Sequence, residues 1–146
     1  MIRVVDRNGA NVRLFPALAG LTRAAELWRK HLLVLVNANV IDLSIVTGVQ
    51  LHKRSVAAVP SGGPCFRLPC PTPTLRLEDF ARGLVAYTLQ GKIHVLRLSD
   101  GHDRVVANGT MSRFVASGLV YAYEATGAYP AGLRWVTNAR LAQILA

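Results

Sequence analysis

The 146-residue chain is 51% hydrophobic and 17% charged, which suits one domain with a core and excludes both a disordered polar chain and two ordinary domains. Lys and Arg number 17 against 8 Asp and Glu, a formal charge of +9, which raises nucleic acid or an anionic membrane as a partner. The basic residues are spread along the chain, with adjacent pairs only at Arg29-Lys30 and Lys53-Arg54, so the charge reads first as solvated surface.

In chain order, the first residues, Met-Ile-Arg-Val-Val-Asp-Arg-Asn-Gly, carry no apolar signal stretch and open on a short strand before a Gly turn. Leu21 to His31 is the best helix candidate, with Leu21, Ala25 and Trp28 on one face. The longest apolar run, Leu32 to Val46, is broken by Asn37, Asn39 and Asp42 and falls short of the ~20 residues a membrane span needs. Within it, Leu32 to Val36 is apolar on both faces, as a strand buried between two layers would be. Ile41, Leu43 and Ile45 alternate with Asp42 and Ser44, which predicts one face in a core and the other in solvent.

Pro60 to Pro73 holds five of the seven prolines and cannot be a paired central strand, because proline lacks the ladder donor. It reads as a stiff connector. It also holds both cysteines, Cys65 and Cys70. Two cysteines without a nearby histidine do not complete a four-ligand zinc site, and the spacing is wider than the redox C-x-x-C. A local Cys65–Cys70 disulfide and two ordinary thiols both stay open; the first would fit an oxidising compartment.

Beyond the connector, Leu75 and Leu77 alternate with Arg76 and Glu78. Gly83 to Tyr87 and Gly118 to Tyr123 are apolar on both faces. Turn signals fall at Asn8-Gly9, Thr47-Gly48, Gln90-Gly91, Asp100-Gly101, Asn108-Gly109 and Thr126-Gly127. About twelve strands fit between them. Asn138 to Leu145 reads as a short helix capped by Asn138.

Three segments share one form, an apolar strand followed by a Gly turn: Ile2 to Gly9, Val40 to Gly48 and Ile93 to Gly101, with glycines 39 and 53 residues apart. A second echo links Phe80 to Tyr87 with Phe114 to Tyr123. A period of ~40–50 residues with about four strands per unit is the pattern of a propeller blade. Val40 to Gly48 and Lys92 to Gly101 resemble the third strand, hairpin glycine and start of the fourth strand in WD40-like and TolB-type β-propeller repeats of bacterial proteins.

The resemblance implies an all-β fold of antiparallel four-stranded blades. Residues 1–59 would hold the first blade and part of a preceding one, 60–73 the connector, 74–109 a second blade and 110–146 a third, incomplete one. About three blades are fewer than the roughly four to eight of a closed propeller, so oligomerisation or further blades would complete it. It further implies ligands at the channel-side loops, here Asn37 to Asn39, Gln90-Gly91 and Glu124 to Gly132.

Motifs for chemistry are scarce. There is no G-x-S-x-G elbow, and Pro60-Ser-Gly-Gly-Pro64 lacks the G-K-[ST] of a phosphate loop. His31, His52, His94 and His102 never form H-x-H or H-E-x-x-H, and His94 reads as a neutral or outward-facing strand residue. Asp100 to Asp103 reads as a hairpin turn rather than a cation loop. Glu78 and Asp79 are adjacent on a strand and point to opposite faces. Tyr87, Tyr121, Tyr123 and Tyr129 read as blade core or interface. The expectation is a non-catalytic scaffold or interaction module with no catalytic, metal or cofactor residues, and with a protein partner or a second copy. The rivals are an enzyme whose site other blades complete and a basic-surface nucleic-acid binder. The lack of a leader points to the cytoplasm, and a Cys65–Cys70 bond would point outside it.

Overall fold

The structure, a computed structural model, describes residues 2–4, 13–15, 22–36, 38–56, 75–124 and 131–146. These residues are mostly antiparallel β, with one short helix. They fall into two compact units, Met1–Ser55 and Val56–Ala146.

The first unit pairs β1 (Ile2–Val4) with β2 (Arg13–Phe15) and builds a four-stranded meander from β3 (Thr22–Trp28), β4 (His31–Val36), β5 (Asn39–Ser44) and β6 (Gln50–Ser55). Phe15 of β2 joins Leu32, Val34, Val36, Ile41 and Leu43 in its core. Leu33, Leu35 and Val40, on the alternate positions, are buried as well, so the central strands are covered on both faces; the apolar run of β4 predicts this, whereas the alternation in β5 predicts a solvent face that is not found.

The predicted helix Leu21 to His31 is absent. Thr22–Trp28 is strand β3, paired in antiparallel register with β4 from Thr22↔Val36 to Trp28↔His31. Ala24, Ala25 and Leu27 carry helix propensity, but β4 beside them is an unbroken Leu/Val run that needs a ladder partner. Propensity of a few tenths of a kcal/mol per residue yields to that pairing. Arg29, at φ 53°, makes the sharp turn.

The second unit repeats the meander with β7 (Leu75–Ala81), β8 (Leu84–Leu89), β9 (Lys92–Arg97) and β10 (Asp103–Asn108). Each of these strands begins 53 residues after its counterpart in β3 to β6, and ends 53 residues after it too. The turns keep the same offset: Arg29 and Arg82 share φ 53°, and Gly48 and Gly101 both have positive φ. So do the hydrogen bonds of the third hairpin. Gly48 N–H donates to Ser44 O as Gly101 N–H does to Arg97 O, each at 2.8 Å.

A third sheet follows from β11 (Thr110–Val115), β12 (Gly118–Tyr123) and β13 (Gly132–Thr137). One backbone bond marks it as the same unit. Ile45 N–H to Lys30 O, Leu98 N–H to Gly83 O and Asn138 N–H to Ser117 O join the end of each third strand to the turn before its second strand. After β13 the pattern changes, and α1 (Asn138–Leu145) stands where a fourth strand would. Its N-cap is Thr137 rather than the predicted Asn138: the Thr137 hydroxyl accepts from Arg140 N–H. Asn138 instead donates from its amide to Ala116 O at 2.8 Å.

The inner face of this third sheet packs on the β7–β10 sheet. Ala86, Ile93 and Val95 meet Leu119 and Tyr121, and α1 closes the layer with Leu141 and Leu145. Arg82 bridges the two layers, donating to Val115 O and Ala116 O. Burying the seven apolar side chains of this cluster contributes on the order of 10 kcal/mol before chain entropy is counted.

Candidate binding site

A cavity of about 590 Å³ opens in the second unit, at the turn end of the two packed sheets. Four separate segments reach it: Gly91 of the β8–β9 hairpin, the Asn108-Gly109-Thr110 joint between β10 and β11, Tyr123-Glu124 leaving β12, and Arg134 of β13. Gln90 (φ 51°) and Gly91 (φ 73°) form the two-residue turn that antiparallel strands favour. Gly109 N–H donates to Gly91 O at 2.8 Å and ties two of the segments together. Gly109 has φ 151°, and a Cβ there would lie 2.3 Å from Ala122 O, so only glycine lets the joint cross β12. Across the cavity the Arg134 guanidinium lies 4.3 Å from the Tyr123 ring centroid, a cation–π contact that holds its charge at the wall.

Three further polar constellations centre on carboxylates. Asp42, 1% exposed, accepts from His31 Nδ1 at 2.9 Å and from His52 Nδ1 at 3.0 Å, across β4, β5 and β6. A carboxylate partner fixes Nδ1 as the protonated nitrogen of each ring. In the second unit the Tyr87 hydroxyl and His94 Nδ1 both donate to Asp103, and the two rings stack at 4.7 Å. At the β9–β10 hairpin Arg97 Nε donates to Asp100 at 2.8 Å and His102 N–H at 3.1 Å. The Arg97 bond first, and the His102 amide second, hold the Asp100 carboxyl well below the usual carboxylate range.

These contacts correct several sequence expectations. Asp42 was to face solvent; its two histidine partners let it be buried instead. Glu78 is buried too, because a register shift between Leu77 and Asp79 breaks the alternation of β7. The strand bulges there, and Asp79 accepts the Phe114 N–H of β11 at 2.6 Å. Of the two readings of His94, the outward-facing one fails: it is buried on Tyr87 and Asp103. Among the described residues, no group of three His, Cys, Asp or Glu is arranged to hold a metal.

Of the loops singled out from the sequence, Gly91 and Glu124 line the cavity. Asn37, residues 125–130 and the Cys65–Cys70 pair lie outside the described residues. Tyr87 and Tyr121 are core residues, as expected, and Tyr123 packs against the same core while also forming cavity wall. Arg134 and Thr110 carried no sequence signal, since the fold alone brings them to the cavity, and Asn108 was legible only as part of the Asn108-Gly109 turn. Arg97 with Asp100 was legible only as a turn.

A contrast sits on the third sheet. Its strand β13 presents Leu133, 74% exposed, and Trp135, 65% exposed, on the face opposite the packed core. Val120 and Ala122 of β12 pair with them in register. No family model, curated protein or solved structure matches the chain. Among the described residues, no helix is long and apolar enough to cross a membrane.

Proposed function

We propose that the chain is a non-catalytic interaction module of propeller-like meander repeats, and that a second copy docks on the outer face of its third sheet. The observation that supports this most is the different fate of one position in the repeat. The third strands β5 and β9 have four consecutive buried residues each, while β13, third strand of the last meander, is exposed on its outer face at Leu133 and Trp135. β5 and β9 are flanked by fourth strands; among the described residues, β13 has no strand partner on that side and its ladder edge stays open. Within the second unit a sheet face is covered by another sheet face. The same solution for the β13 face calls for another sheet, and a second copy supplies one. An exposed Trp beside a Leu is the type of anchor that dominates interfaces.

Light scattering coupled to size exclusion tests this. A mass near twice 15.8 kDa is expected, and Leu133→Asp with Trp135→Asp should return it to 15.8 kDa while the far-ultraviolet spectrum stays that of a β protein. A wild-type chain that stays at 15.8 kDa at all concentrations overturns the reading.

A further inference from the structure

We infer that the cavity between the β8–β9 turn and β13 binds a compact zwitterion, such as a free amino acid or short peptide with both charges bare. The inference is independent of the docking face. Arg134 and Leu133 are neighbours on β13 and point to opposite faces of the sheet, and the cavity lies on the inner side.

The walls set the chemistry. Arg134 supplies one cation, braced against Tyr123, and Glu124 supplies one anion. Asn108 and Thr110 add an amide and a hydroxyl between them. A phosphate dianion would meet Glu124 as well as Arg134, and a polyamine would meet Arg134 as well as Glu124. A molecule carrying one carboxylate and one ammonium satisfies both walls. The volume, about 590 Å³, lies within the ~300–1,000 Å³ typical of small-molecule sites. The floor is held in place before any ligand arrives, because the Gly109 to Gly91 backbone bond joins two of its segments. Little ordering then accompanies binding.

The test is an amide NMR titration of the full chain with glycylglycine. Saturable shifts are expected at Gly91, Gly109 and Thr110 below ~10 mM. The same dipeptide blocked as its N-acetyl amide should leave these amides unmoved. Arg134→Gln and Glu124→Gln should each weaken glycylglycine about tenfold, with the rest of the spectrum preserved. No saturable shift up to ~10 mM overturns the proposal. So does equal binding of the blocked dipeptide, or tighter binding of inorganic phosphate than of glycylglycine. A loss confined to Arg134→Gln would remove Glu124 from the site, and the zwitterion with it.

Discussion

The two four-stranded sheets carry the same backbone and different chemistry. Every strand of β7–β10 lies 53 residues beyond its counterpart in β3–β6, and the turn residues and hairpin bonds follow the same offset. The carboxylate networks do not. Asp42 corresponds to Val95, and its partners His31 and His52 to Leu84 and Val105; Asp103, Tyr87 and His94 correspond to Gln50, Val34 and Ile41. Each sheet thus ties three neighbouring strands with one carboxylate and two ring donors, at different places in the repeat. What recurs is the turn geometry and the burial of the central strands, and those suffice to set the meander. The polar network is a local addition that each sheet makes for itself.

The third meander gives the sharpest way to break this comparison. Its strand β12 begins at Gly118, where β4 has His31 and β8 has Leu84. In the third meander a Cβ at this position would lie 2.0 Å from Val136 O. Gly118→Ala is expected to destabilise the second unit by about 3 kcal/mol or more, read by urea unfolding. A cost near zero would mean that β12 and β13 do not approach as described.

A middling effect separates the two networks. Asp103→Ala strands the buried Tyr87 hydroxyl and His94 donor and should cost about 2–3 kcal/mol, while Asp42→Ala, which leaves two partly exposed histidines within reach of water, should cost about 1–2. Trp28 lies in the first unit and Trp135 in the second, so Trp135→Phe and Trp28→Phe backgrounds report each unit by fluorescence. Equal losses in both would mean that burial does not set the cost.

The smallest effect belongs to the hairpin tips. Thr47 and Asp100 occupy the same position, and each takes the amide two residues on, Val49 N–H at 3.3 Å and His102 N–H at 3.1 Å. Only Asp100 titrates. Its carboxyl is held low in the folded chain, so its contribution is fully present above the ordinary carboxylate value of about 4 and is lost as pH falls below it. Tm against pH should therefore dip in acid, and Asp100→Asn should flatten part of that dip. The effect is small because the pair is exposed. A Thr47→Ala chain should keep the wild-type acid limb.

The repeat was legible because turns need particular residues: the glycines 53 apart, Gly48 and Gly101, announce the hairpins that the structure repeats. Strands covered on both faces were legible as unbroken apolar runs at Leu32–Val36 and Gly83–Tyr87. Thr22–Trp28 was not, because its Ala-rich composition speaks for a helix and its partner strand decides otherwise. Asp42 and Glu78 were misread for one reason: alternation assigns a face but not its solvent, and a partner or a bulge buries a polar side chain without a trace in the pattern. The cavity had only its turns, Gln90-Gly91 and Asn108-Gly109, and Glu124 as markers, since turn and loop signals do not say which charged side chains the folded sheets bring beside them.

Amide hydrogen exchange tests the central claim, one meander repeated in fixed register, most directly. Ile45, Leu98 and Asn138 donate the equivalent backbone bond in the three sheets. All three amides should exchange at least ~100-fold more slowly than unstructured ones. If Ile45 and Leu98 are protected while Asn138 exchanges freely, the third sheet is not a copy of the other two; if all three exchange freely, the register itself is wrong.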